Sequence, residues 1–240
     1  MKSIMNTKFL ISLFAILSLS MSGYAQTDSV EIDVPDLEHV QNVVKNNRAA
    51  YDSLTVCFKN MDTSSMFTLE EAHIIYYGFA YTEKYSPYSN AEADIVGQFL
   101  KDGEIDKAES AVKQFLDTNP VLLELYEYQL KIAKQKQDED TFRKAYVKLT
   151  FLLDIISGSG EGNTLDSPLY VIRVSDEYSF LRCTGATELI SQALVESPTG
   201  KCDKMVFKLD EESMQSAGID SITLYFNIDL AFSKLSSWLD

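Results

Sequence analysis

Few residues in this chain have the type and spacing that chemistry needs. Histidine occurs twice, at His39 and His73. Two imidazoles on separate helical segments do not make a zinc site, and no HExxH spacing sets two of them on one helix face. His73 follows Glu70 by one turn in EEAH, so the two read as a surface helix pair, and His39 reads as a solvated helix position. No GxSxG elbow is present. Ser110-Ala111-Val112-Lys113 spells SxxK, which puts a hydroxyl and an amine on one helix face, but the SDN and KTG partners of that chemistry are missing. The three cysteines, Cys57, Cys183 and Cys202, include no CxxC pair, so a redox motif is not supported. Cys183 and Cys202 both lie late in the chain and are the candidate disulfide, which leaves Cys57 single.

Two other stretches offer binding chemistry. Residues 76–88 read YYGFAYTEKYSPY, with Tyr77, Tyr81, Tyr85 and Tyr88 spaced by 4, 4 and 3. On a helix that spacing makes one face. A tyrosine stripe beside Gly78 reads first as a helix–helix interface, because glycine is tolerated in mid-helix where a neighbour comes close. The alternative is a platform that stacks on a small ligand or glycan, and it requires the four rings to be exposed. The second stretch is SGSGEGN at 157–163. It lacks the Lys after the last Gly that a P-loop requires, and it follows a helix rather than a strand. Glu161, Asn163 and Asp166 offer clustered oxygens for a hard cation, without an EF-hand pattern. The simpler reading is a flexible turn. A carboxylate pair for glycoside hydrolysis needs only the right separation in space, and 36 acidic residues give no way to choose two. Asp176-Glu177 reads as a hairpin tip, where acids are solvated.

The elements that must position these residues change character near residue 157. Before it the apolar period is helical. Residues 36–58 read as one amphipathic helix. Thr68 with Glu71 is a capping box that starts a helix running to about Lys84, before Pro87. Further helices are expected at 91–102, 104–117, 121–136 and 139–156. LKDGEIDKAESAVKQFLDTNP has the Gly, small residue and Pro of a tetratricopeptide-like helical hairpin. After residue 157 come strands at Leu169–Val174, Tyr178–Cys183, Lys204–Leu209 and Ser221–Ile228, with Glu188–Val195 apolar enough for a strand or a short helix. Alternation in Met205, Phe207, Leu209 and in Ile222, Leu224, Phe226, Ile228 suits an antiparallel sheet with one covered face. A closing segment with Phe232, Leu235, Trp238 and Leu239 is placed to cover it. The expected fold is therefore α+β: a helical-hairpin array over residues 26–156, then a β-rich module of about five antiparallel strands over 157–240, packed as one unit.

Residues 1–25 read as a secretory leader. Lys2 and Lys8 precede an apolar run over 9–21, and Gly23-Tyr24-Ala25 supplies the small residues of a cleavage site. The run is too short to span a membrane. The formal charge is −15, and the leader carries two of the cations. Such acidity opposes phosphate backbones and anionic membrane surfaces, so nucleic acid is a poor partner.

Taken together, FTLEEAHIIYYGFAYTEKYSPY, the GSGEGN loop running into SPLYVIRVSDEYSFL, and the late YFNID resemble a family of secreted Bacteroidetes proteins called domain of unknown function 4919. The resemblance covers nearly the whole chain after the leader. It implies a Gram-negative source and one continuous unit, and it brings no active site. The residues themselves favour an exported, soluble, non-enzymatic module for a protein or peptide partner in the cell envelope, with no cofactor. The alternatives are a carboxylate-based hydrolase, or a binder of small ligands through the tyrosines.

Overall fold

The computed structural model describes residues 32–62, 67–211, 214 and 218–239. The leader expected over residues 1–25 lies outside them. Among the described residues there are nine α-helices and one four-stranded sheet, so the chain is α+β. No described helix is long and apolar enough to cross a membrane. Two compact units are built from interleaved stretches. One is helical and takes Pro35–Ile155, Val171–Asp176 and Leu230–Asp240; the other includes Ile156–Tyr170 and Glu177–Asp229 and holds the sheet.

The helical unit opens with α1 (Leu37–Asn46) and α2 (Arg48–Asn60). The single helix expected over 36–58 is broken at Asn47, whose φ of −135° and ψ of 54° lie outside the helical region. Next comes α3 (Leu69–Gly78), which starts at the expected capping box. The Thr68 hydroxyl oxygen accepts from the Glu71 N–H at 3.2 Å, and the Glu71 carboxylate accepts from the Thr68 N–H at 2.8 Å. The helix does not run to Lys84. It ends at Gly78 and tightens into a 3-10 turn over Phe79–Tyr81. Gly78 does permit a close approach: a Cβ there would sit 2.9 Å from the Tyr51 ring on α2 and 3.1 Å from Val44 on α1.

Four helices follow close to the expected spans: α4 (Ala91–Lys101), α5 (Ile105–Thr118), α6 (Leu123–Lys136) and α7 (Glu139–Gly158). Gly103 makes the turn between α4 and α5 at φ +75°, a conformation that favours glycine. The core here joins Val96, Ala108, Ala111, Val112, Leu122, Leu125 and Ile132. Ala108 is fully buried, and its small side chain allows α4 and α5 to pack closely.

In the other unit the strands are β1 (Leu169–Tyr170), β2 (Ala186–Ser197), β3 (Gly200–Leu209) and β4 (Ser221–Asn227), in the order β1-β4-β3-β2. The expectation of about five antiparallel strands needs two corrections. There are four, and β1 runs parallel to β4, which makes the sheet mixed. The hairpin expected at 169–183 does not form. Only Leu169 and Tyr170 are strand, and Val174–Cys183 is helix α8. Buried positions at 173, 176, 177, 180, 181 and 184 follow helical spacing, but three of these six are charged, which hid the period. Met205, Phe207 and Leu209 are buried as their alternation requires, with Phe226 of β4 and Phe180 of α8 in edge-to-face contact at 5.9 Å. The loop at 157–163 is packed. Gly160 lies so near Pro168 that a Cβ would meet its carbonyl oxygen at 2.1 Å, and the Gly162 carbonyl accepts from the Tyr225 N–H at 2.7 Å. The chain closes with α9 (Asp229–Leu239); the side chains of Leu235, Trp238 and Leu239 lie outside the described residues.

Candidate functional site

The helical unit carries an open groove of about 390 Å³ between α2, α5, α6 and α7. Each wall follows from helical spacing. On α5, Val112 and Leu116 form an apolar line, flanked by Glu109, Lys113 and Asp117, which succeed one another at four-residue intervals. On α6, Tyr126, Gln129 and Ile132 recur every three residues. Lys59 comes from the last turn of α2, and Thr141 and Lys148, two turns apart, come from α7.

The charges on these walls are not equivalent. Asp117 lies 3.4 Å from Lys59, whose Nζ also donates to the Asp117 carbonyl at 3.0 Å. Glu109 is held by Lys136, which also reaches Asp106 at 2.9 Å. Lys148 donates to the Lys59 carbonyl at 2.6 Å. Burial, and next the Lys144 ammonium, hold the Lys148 amine below its usual value. The Tyr126 hydroxyl donates to the Pro120 carbonyl at 2.7 Å, and burial pushes it well above the ordinary tyrosine range. The floor is thus apolar and the groove's carboxylates are neutralised locally.

A second constellation in the same unit is closed to solvent. Arg173 is 1% exposed. Its Nη2 donates to the Asn119 side-chain oxygen at 2.8 Å, and the Asn119 amide donates to Glu92 at 2.7 Å. The guanidinium lies 4.8 Å from the Phe79 ring centre and 6.0 Å from that of Tyr85. Asp176 is fully buried and accepts from the Tyr76 hydroxyl at 2.8 Å. Burial raises its pKa to about 6, against the lowering effect of Arg173 and of the Tyr76 bond. Asp176 Oδ1 and Arg173 Nη1 have no hydrogen-bond partner among the described residues.

The tyrosines do not share a surface. Tyr77 is fully buried against His73 and Tyr76, and Tyr85 is buried with its hydroxyl donating to the Ile172 carbonyl. Tyr81 is half-buried, and burial pushes its hydroxyl up to about 12. Of the four, Tyr88 alone is exposed. Because α3 ends at Gly78, Tyr85 and Tyr88 fall beyond the helix that would have aligned them. Glu161, Asn163 and Asp166 are all exposed. Among the described residues no group of three or more His, Cys, Asp and Glu side chains is gathered as a metal site would need. Cys183 and Cys202 are not joined; the Cys202 thiol is buried and donates to the Ser197 hydroxyl at 3.3 Å.

Two smaller expectations change, for His73 and for Asp176-Glu177, and the discounted Ser110 is also placed. Glu70 meets His39 at 2.9 Å, and His73, expected on the surface, is buried. Ser110 donates to the Asp106 carbonyl, so its hydroxyl is occupied within the helix. Asp176 and Glu177, expected solvated at a hairpin tip, are fully buried in α8. Sequence reasoning missed Arg173, Asn119, Glu92 and Tyr76. One signal was present: Arg173 interrupts the apolar run LYVIRV, and a cation there must be either a surface residue or a satisfied core one.

The fold and groove define an α+β protein with a concave, mixed-charge cleft in its helical unit. The chain belongs to the family described as Domain of unknown function (DUF4919), whose profile matches residues 38–236. No curated protein and no solved structure matches the chain.

Proposed function

We propose that this is an exported, non-enzymatic module that binds a protein or peptide partner in the cell envelope of a Bacteroidetes bacterium. The groove of the helical unit carries this reading. It is open, apolar at its floor and walled by four helices, a form suited to an extended segment or a partner helix. The leader-like residues 1–25 support export. Hydrolysis by a carboxylate pair has less support, because Glu109 and Asp117 are each engaged by a lysine, and such a pair needs one free base or nucleophile.

The test places a photo-crosslinking amino acid at Gln129 in the groove and, as a control, at Thr223 in β4, in cells that make the protein. Capture of one partner from position 129 and none from 223 is the expected result. Equal capture from both, or none from either, would count against the groove as a binding site.

A further inference from the structure

Among the described residues the sheet has one long open edge. Strand β2 has 12 residues and pairs with β3 on one side only, while β1 at the opposite edge has 2. Residues 187–194 are exposed without a break, with Leu189 at 41%, Ile190 at 50% and Leu194 at 53%. Edge strands are ordinarily guarded by a proline, a lysine or a bulge. Residues 186–197 hold no proline and no lysine. Two slips of register against β3, at Ala186/Glu188 and Leu189/Ser191, fall in the first half of β2 and leave 191–197 regular. The strand's two acids are each held by a lysine of β3: Glu188 by Lys208 at 2.7 Å, and Glu196 by Lys201. Residues 188–196 read ELISQALVE. About Gln192 the order of chemical types is the same from either end: a small residue, two aliphatics, an acid. The Gln192 side chain is itself fixed to its own sheet, accepting from the Tyr178 hydroxyl at 2.6 Å and donating to Asp203 at 2.7 Å.

We infer that β2 pairs antiparallel with β2 of a second copy of this chain, about a two-fold axis at Gln192, joining the two sheets edge to edge. In that register each side chain meets its own kind: Ile190 faces Leu194 of the second copy, Leu189 faces Val195, and Ser191 faces Ala193. Each contact occurs twice, as an isologous interface requires, and a strand of unrelated sequence has no cause to match this symmetry. The pairing also satisfies the outward N–H and C=O groups of both strands. It closes on itself, because the short β1 leaves little edge for a third chain. Glu188 and Glu196 of the two copies meet at each end. Lys208 and Lys201 flank them, so the row reads Lys-Glu-Glu-Lys and the like-charge cost is offset. Edge pairing buries less area than a standard interface, so the dissociation constant should be on the order of micromolar.

Sedimentation equilibrium of the full chain, loaded at about 1–100 µM, reads the mass directly. The expected result is a rise with concentration from 27.0 kDa toward twice that value. Ile190→Glu and Leu194→Lys change exposed positions and should leave the melting temperature unchanged. Each should nevertheless weaken the dimer at least about tenfold, because its charge would be desolvated against an aliphatic side chain of the second copy. Mixed in equal amounts, the two variants should associate again. The introduced carboxylate of one chain then faces the introduced ammonium of the other, and the remaining Ile190 and Leu194 meet as before. A native chain that stays at 27.0 kDa across the range would overturn the inference and leave the edge to a strand of a different protein. A dimer that both variants keep would put the contact elsewhere and overturn it as well. Weakening by each variant without recovery in the mixture would reject the pairing about Gln192.

Discussion

At the scale of single residues, Asp176 sets a testable pH dependence. Its folded-state pKa of about 6 lies above the unfolded carboxylate value near ~3.9, so the folded state holds the proton more tightly. The resulting stabilisation is complete below about pH 4 and is lost as pH rises through about 6, amounting to roughly 3 kcal/mol. Urea midpoints measured from pH 4 to 7.5 should therefore fall with pH more in the native chain than in Asp176→Asn. Parallel curves for the two proteins would remove Asp176 from the account. Tyr76→Phe takes away a side-chain hydrogen-bond donor to Asp176 and should cost about 1–3 kcal/mol near neutral pH. It should also move the pH transition upward, because the bond to Tyr76 lowers the Asp176 pKa. Arg173→Met strips Asn119 of a partner and leaves Asp176 without its nearby cation, for an expected loss of about 3 kcal/mol in equilibrium unfolding. A loss under about 0.5 kcal/mol would mean that the buried guanidinium only breaks even against its own desolvation. None of this was legible in the sequence, where Tyr76, Asn119 and Arg173 are far apart and only the misplaced charge of Arg173 hints at a core role.

Elements were easier to read than residues. Helices α4 to α7 announce themselves because their apolar residues recur at helical spacing and because Gly103 and Pro120 punctuate them. Helix α8 was hidden because its inward positions include Asp176 and Glu177, and Arg173 stands just before it, charges which a hydrophobic period does not count. The groove was hidden for a different reason: its walls come from four helices, and only their packing decides which faces meet. The approach of α1 and α2 to α3 gives the test at this scale. Alanine at position 78 gains about 1 kcal/mol of helix propensity, yet its Cβ would press on the buried Tyr51 ring at 2.9 Å. Overpacking of this kind costs about 1–3 kcal/mol, so Gly78→Ala should lower the melting temperature. A rise would show that α2 can withdraw at little cost.

For the whole molecule, the first consequence concerns its thiols. Cys57 is exposed, Cys202 is buried, and neither belongs to a disulfide. Titration with a thiol reagent should find three reactive groups in denaturant and a fast one, Cys57, in the native protein; a reductant should leave the melt unchanged. One thiol in denaturant would restore a Cys183–Cys202 bridge. The second consequence concerns synthesis. The helical unit draws on residues 171–176 and on the segment from 230 onward as well as on the long stretch that ends at Ile155. A ribosome that has just passed residue 155 has made helices α1 to α6 and most of α7 without the guanidinium that sits between Asn119 and Phe79. Asn119, Tyr76 and Tyr85 then wait with open polar groups for Arg173, Asp176 and Ile172 to be translated. The nascent chain therefore cannot finish the buried polar core around Arg173 until residues 172–176 have been made.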